Sequence, residues 1–355
     1  MKRVIPSALF ICAVMLLVAS GAFAQLTPDL NQPTEKRAQT GMKFLSMSLD
    51  ARAAGMGNAM ASNDIGSSIA MFYNPASMGM MQSNGDAVFG RAEWIADINY
   101  SFGSIALRPA EGNYGVIGVN FMAVDYGDLQ GTIRDSNPAN TLGYLDTGTF
   151  SPQALAVGLG YSYAVSDRFS VGANVKYVRE NLGSSVAQLQ VTSTGQVTGV
   201  GVQEAETNVV AFDFGILYRT GFRSLNFGVA ARNFAKDLTY VEESFELPLT
   251  FQLGLSMNLM DFMAAENKTH SLLLSVDAVR PRDFDEHLAF GAEYTLADMV
   301  SVRGGYAAPT EEEGISLGGG LHRKFGTSAA VRLDYAYTNF GVFNNVNRFT
   351  LSFAF

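Results

Sequence analysis

The chain has 355 residues, of which 48% are apolar and only 16% charged, with 36 glycines and 14 tyrosines; an average soluble domain is less apolar and more charged. A net charge of -9 without a concentrated basic stripe excludes a nucleic-acid partner. No stretch beyond the first residues approaches the roughly eighteen consecutive apolar residues of a membrane helix, which excludes a helical membrane protein.

The chain opens with Lys2 and Arg3, an apolar core from Leu9 to Val18, and Ala22-Phe23-Ala24 ahead of Gln25. This is the pattern of a secretory signal over residues 1–24, cleaved after Ala24. The apolar run falls short of a bilayer span, so a retained anchor is the weaker alternative. Ile11 before Cys12 is too bulky for a lipoprotein site. Cys12 is the only cysteine, so the exported protein carries no thiol and no disulfide. Residues 25–40, with Pro28 and Pro33, read as a flexible leader.

Residues 41–84 lack a strand period, are rich in Gly, Ala and Ser, and hold Met42, Met47, Met56, Met60, Met71, Met78, Met80 and Met81. Methionine fills irregular space, which suits a small plug or hatch packed in a lumen, or a pliable contact for an apolar ligand. Asn74-Pro75 is a turn-forming pair, because proline fixes its own φ and pushes the preceding residue to extended geometry.

From Gly85 to Phe355 the dominant spacing is two, at which side chains point alternately to opposite faces of a strand. Leu155, Val157, Leu159, Tyr161 and Tyr163 alternate with Ala154, Ala156, Gly158, Gly160 and Ser162. The stretches 169–177, 249–258 and 348–355 repeat the pattern. A soluble sandwich would carry charge on its second face; here that face is mostly Gly, Ala, Ser, Asn and Thr, which suits an enclosed polar lumen. Large residues then meet lipid, with Tyr161, Tyr163, Tyr294, Tyr335 and Tyr337 as an interfacial girdle.

The count is about fourteen segments, an even number as single-chain bacterial barrels require: 85–94, 98–108, 113–124, 154–165, 168–179, 207–218, 223–232, 248–258, 269–279, 287–295, 299–307, 314–323, 327–337 and 346–355. The expected fold is therefore all-β, a transmembrane antiparallel barrel of about fourteen strands with a plug at its N-terminal side. Long connections at 125–153, 180–206 and 233–247 alternate with tight ones. That asymmetry places both chain ends on the periplasmic side and the long segments at the cell surface. The connection 259–268 is long for a periplasmic turn.

At the end of the chain Phe349, Leu351, Phe353 and Phe355 share the bulky face of the last strand. They resemble the C-terminal signal by which outer-membrane proteins engage their insertion machinery, and a missing last strand would leave the ring open.

Lys43-Phe44-Leu45, the run Ala51-Arg52-Ala53-Ala54-Gly55-Met56-Gly57-Asn58-Ala59, and Phe72-Tyr73-Asn74-Pro75-Ala76 resemble the opening signature of the PorV/PorQ family of outer-membrane proteins. Gly291-Ala292-Glu293-Tyr294, Arg303-Gly304-Gly305-Tyr306 and Leu333-Asp334-Tyr335-Ala336-Tyr337 resemble its C-terminal motifs. The chain departs from the pattern at Ser77, where the family has glycine. That family is similar in fold to FadL-type transporters, whose fourteen-stranded barrels hold an N-terminal hatch with a related Asn-Pro-Ala motif. The resemblance implies a role in type IX secretion, in which exported cargo is received through its C-terminal domain and passed to surface machinery.

The motif residues Arg52, Gly55, Gly57, Asn74, Pro75 and Ala76 then belong to the plug. Arg52 needs a partner inside a barrel, and Glu293 or Asp334 is the candidate; exchanging the charges of Arg52 and Glu293 should restore stability lost in each single variant.

Gly55-Met56-Gly57 lacks the third glycine and the Lys-Ser/Thr pair of a phosphate loop. His270, His287 and His322 lack the spacing of metal ligands. The acidic run Glu311-Glu312-Glu313 reads as a solvated loop face, with cation bridging to lipopolysaccharide as the alternative. No Gly-x-Ser-x-Gly elbow is present. No catalytic residue, cofactor or metal is therefore assigned, and the chain is not expected to be an enzyme. The partners expected are outer-membrane lipid, barrel-insertion machinery, secretion-machinery proteins and cargo C-terminal domains. The competing functions are transport of hydrophobic small molecules and a general porin role.

Overall fold

The computed structural model describes residues 40–135, 140–191, 197–239, 244–262, 269–310, 313–326, 329–343 and 345–355. The signal and the leader up to residue 39, with Cys12, fall outside them, as do Glu311, Glu312 and residues 263–268.

Fourteen strands close into one antiparallel barrel. They are β1 Gly85–Glu93, β2 Asn99–Leu107, β3 Val116–Asp125, β4 Gln153–Ala164, β5 Phe169–Val191, β6 Val197–Arg219 and β7 Asn226–Phe234, followed by β8 Thr250–Asn258, β9 His270–Pro281, β10 His287–Leu296, β11 Val300–Ala308, β12 Ser316–Phe325, β13 Ala329–Thr338 and β14 Val346–Ala354. Each strand pairs with its chain neighbours, and β14 returns to pair with β1 from Asp86↔Ala354 to Glu93↔Asn347. At the seam Gly85 and Phe355 exchange backbone hydrogen bonds of 2.8 and 2.9 Å. Closure is required because hydrocarbon offers no partner to an unpaired N–H or C=O, and each one left open costs several kcal/mol.

The alternation in sequence becomes the two faces of the wall. In β4, Leu155, Val157, Leu159, Tyr161 and Tyr163 are exposed, whereas Ala154, Ala156, Gly158, Gly160 and Ser162 are buried. In β8, Phe251, Leu253 and Leu255 face out while Thr250, Gln252, Gly254 and Ser256 face in. Phe349, Phe353 and Phe355 stand on the outer face of the last strand, with Leu351 half-buried beside them. Of the five girdle tyrosines, Tyr161, Tyr163 and Tyr335 are exposed, whereas Tyr294 and Tyr337 are half-buried.

The three long connections all contain paired strands. The span 180–206 is not a loop: β5 and β6 continue as a paired ribbon through Ser184↔Glu204 to Val191↔Val197. Its polar, glycine-bearing composition reads as loop because only its barrel-side halves carry the outer and inner alternation. Within 125–153, Leu129–Arg134 and Tyr144–Phe150 form a second hairpin outside the ring. Within 233–247, Leu238–Thr239 pairs with Ser244–Phe245. These three features emerge at one end of the barrel; the other end has short connections, such as 165–168, 220–225 and 297–299, and receives both β1 and the end of β14. The β8–β9 connection begins with a 3-10 turn, Leu259–Phe262.

Residues 40–84 run through the ring from the long-connection end to the short one. Thr40 bridges to Glu246 and hydrogen-bonds Asp283 at 2.7 Å, Lys43 pairs with Asp283, and the Leu45 carbonyl is reached by Asn233. At the other end Asp64 pairs with Arg219 where β6 ends. Between them lie the helix Ala51–Gly55, here α1, and 3-10 turns at Lys43–Ser46, Ser68–Phe72 and Pro75–Met80. Met42, Met56, Met60, Met71, Met78, Met80 and Met81 are buried there and Met47 half-buried. Burying a methionine side chain is worth about 1.5–3 kcal/mol, so packing against the wall supplies the stability that so short a helix lacks alone.

Candidate functional site

The inner face joins the lumen segment to the wall through charged groups held by period two. α1 begins at Asp50, whose carboxylate accepts the Ala53 N–H at 2.9 Å. This cap aims Arg52 at the wall, where Nε and Nη2 donate to the two carboxylate oxygens of Glu293 at 2.9 and 2.8 Å. Such a bidentate pair fixes orientation as well as charge. The paired carboxylate offsets the cost of burying the guanidinium.

Glu293 is shared. Arg303, opposite it on β11, donates to the same carboxylate and with Nη1 to Asp334 at 2.7 Å. The four side chains form one line, Arg52–Glu293–Arg303–Asp334, almost closed to water. Of the two carboxylates considered for Arg52, the structure gives it Glu293 and gives Asp334 to Arg303.

Glycines make room for this approach. A Cβ on Gly55 would lie 3.2 Å from the Cα of Gly318, and one on Gly320 would lie 2.3 Å from Asp334. Gly57 has φ +59°, and its Cβ would meet the Tyr306 nitrogen at 2.7 Å and the Phe290 carbonyl at 2.8 Å. Here backbone touches backbone, which only glycine permits.

Asn74-Pro75-Ala76 is a second attachment. The Asn74 side chain accepts from Ala76 N–H at 3.1 Å and donates to the carbonyls of Ala61 at 2.6 Å and Ile216 at 3.0 Å. It thereby caps the turn Pro75–Met80 and ties it to β6. The Ala76 carbonyl accepts from Ser162 and Ser170 at 3.1 and 2.7 Å. Gly172 and Gly215 give this turn its space: a Cβ on either would collide with Pro75 or Asn74. Ser77 donates to the Asn63 carbonyl at 2.8 Å and accepts from Ile65 N–H at 2.6 Å, so its hydroxyl holds residues 63–65.

Further inward groups were not singled out by the sequence reading. Asp86 accepts from Ser67 and Ser68, and Asp277 from Ala61 N–H at 2.8 Å. Lys176 pairs with Asp213 at 2.8 Å, and Arg232 donates to the Phe72 carbonyl at 2.6 Å. Arg348 donates to the Ser48 carbonyl at 2.8 Å and lies over Trp94. A signal was available, because each stands on the small-residue face of its strand. Tyr73 lies behind Asp50, and its hydroxyl oxygen accepts the Asp50 N–H at 3.2 Å.

Cavities of about 20 and about 150 Å³ remain between the segment and the wall, below the ~300 Å³ at which small-molecule sites begin. The larger opens among Asp50, Arg52, Asp86, Arg332 and Asp334. His270 contacts Tyr294 at 2.6 Å and His322 the Asp298 carbonyl at 2.9 Å. Among the described residues, no group of three His, Cys, Asp or Glu side chains is arranged to hold a metal ion.

Comparison with known proteins adds the family. The profile described as "Type IX secretion system membrane protein PorP/SprF" matches residues 144–355, more than half of the chain. No curated protein sequence matches. Among solved structures, the Pseudomonas putida toluene transporter TodX is similar with TM-score 0.55 and 12% identity, over 86% of this chain and 96% of that one. A Pseudomonas aeruginosa FadL homologue is similar with TM-score 0.50 and 12% identity, over 87% and 98%. At such identities the likeness is one of fold: a FadL-like outer-membrane barrel.

Proposed function

The chain belongs to the PorP/SprF family of type IX secretion system membrane proteins, and from that premise we propose that it receives exported proteins at the outer membrane through their C-terminal domains. The observation that carries this reading is the lumen segment: residues 40–84 pack the ring from end to end and are bonded to its wall at Glu293, Asp277, Ile216 and Asp86. A barrel filled in this way works through its ends. The end with the paired ribbon, the hairpin of Leu129–Arg134 and Tyr144–Phe150, and the connection after β7 carries the longer segments outside the ring, which a protein partner can reach.

In this reading residues 41–84 are a plug and 85–355 the barrel, both chain ends face the periplasm, and the long connections face outward. Phe349, Leu351, Phe353 and Phe355 serve recognition by the insertion machinery. Arg52, Gly55, Gly57, Asn74, Pro75 and Ala76 hold the plug. The finer identity, a PorV/PorQ-type protein, rests on the motifs at 43–45, 51–59 and 72–76, which precede the matched span, together with those at 291–294, 303–306 and 333–337, which lie inside it.

A second reading is passage of hydrophobic molecules, favoured by the fold shared with TodX and by the methionine and leucine lining of the smaller cavity, Leu45, Met47, Leu49 and Met71. Deleting the gene separates the two. Accumulation of several surface proteins in the periplasm is the result expected for cargo reception. An unchanged surface proteome with lost growth on an apolar nutrient would overturn it in favour of transport.

A further inference from the structure

The β5–β6 ribbon leaves a strand edge open. β7 pairs with β6 only from Phe212 to Arg219, whereas β5 pairs with β6 on its other side out to Val191↔Val197. Among the described residues, no strand pairs with the outer edge of β6 between Val197 and Glu206. At about 3.4 Å per residue this is about 30 Å of edge, presenting every second backbone N–H and C=O.

Natural sheets defend such an edge with charge, proline or bulges. From Leu182 to Gln203 the sequence has no charged residue and no proline, in a chain that is 16% charged. The irregularities of the ribbon fall chiefly on β5: between Gly199 and Glu204 every β6 residue has a partner, while β5 bulges at Ala187. β6 carries one extra residue, Thr198, and is regular from Gly199 to Glu204, where Gly199 and Gly201 allow another backbone to come close.

The geometry points to β6 residues 199–203, the uncharged and regularly paired part of this edge, as a strand-addition site, taking an extended, uncharged segment of an exported protein antiparallel to β6. This rests on the reading that such proteins are received here. A second copy fits poorly. Two barrels side by side in one membrane present this edge at equal height, whereas the slanted bonds of a parallel pair need the strands offset by one residue. A soluble domain approaching from outside the membrane is free to choose direction and register, and main-chain bonds then supply affinity that tolerates many sequences.

The test is amide hydrogen exchange on the full chain in detergent micelles, with the purified C-terminal domain of a type IX substrate from the same organism as probe. In the free protein, alternate amides from 199 to 203 should exchange fast and the intervening ones, bonded to β5, slowly. Saturating probe should slow the fast set at least tenfold. The double variant Val200→Lys, Val202→Lys should weaken probe binding at least tenfold while the barrel keeps its heat-modifiable migration. Two results overturn strand addition and leave cargo reception standing: binding without slowing of those amides, or edge amides already slow in the free protein. Failure of several such domains to bind the unaltered protein would remove the reading of cargo reception and the inference with it.

Discussion

Arg52 shows how one side chain depends on neighbours far away in sequence. Removing one partner of a buried, hydrogen-bonded ion pair costs about 3–5 kcal/mol, since the other charge remains desolvated. Arg52→Met and Glu293→Gln should therefore each lower barrel stability in detergent by about 3 kcal/mol, with a coupling of about 1–3 kcal/mol in a double-mutant cycle followed by denaturant unfolding. The charge exchange suggested by the sequence alone should now fail to restore stability. An arginine at 293 would face Arg303, which shares that carboxylate in the native protein, so the exchanged variant should be no more stable than either single one.

A glycine pair sharpens the same point. Gly57→Ala puts a methyl against the Tyr306 nitrogen at a positive φ, whereas a methyl at Gly304 meets nothing within 4 Å. The first should cost more than about 1 kcal/mol and the second less than about 0.5 kcal/mol, as thermal unfolding of the two variants would record.

For single elements, β14 is the piece whose loss has the largest predicted effect. It pairs with both β13 and β1, so a chain ending before Val346 would expose two edges to lipid. Such a truncation should yield no heat-modifiable, protease-resistant barrel in membranes. Shortening the β5–β6 ribbon to the rim through an Asn-Gly turn should leave the barrel folded, because the pairs from Phe169↔Tyr218 to Asn181↔Glu206 are kept. The ribbon's mid-length composition hides its strands from sequence reading. A two-stranded ribbon outside the membrane has no lipid face to enforce bulky residues at every second position, so Gly183, Gly199 and Gly201 read as loop.

At the scale of the whole molecule the bilayer is the solvent that selects the outer face. Leu253, at the middle of β8, and Leu296, at the end of β10, are both exposed. Leu253→Arg should cost about 2–4 kcal/mol in a bilayer and Leu296→Arg about 0–1 kcal/mol, a depth dependence that unfolding titrations in lipid vesicles would measure. Equal penalties would contradict a membrane midplane at Leu253.

The strand count, the two faces of the wall and the absence of a strand period at 41–84 are legible in the amino-acid sequence. These follow from local rules: alternation is a property of each extended chain, and lipid outside with a polar interior demands the same pattern from every strand. The sequence also narrowed the partner of Arg52 to two carboxylates. The choice between them, the two acceptors of Arg303, the approach of Gly57 to Tyr306 and the extension of β5 and β6 past the rim come from the folded ring. Those outcomes depend on the register of strands summed around a closed ring and on the path of residues 40–84 through it. Register is fixed by every neighbouring pair at once, and no stretch of sequence contains that sum.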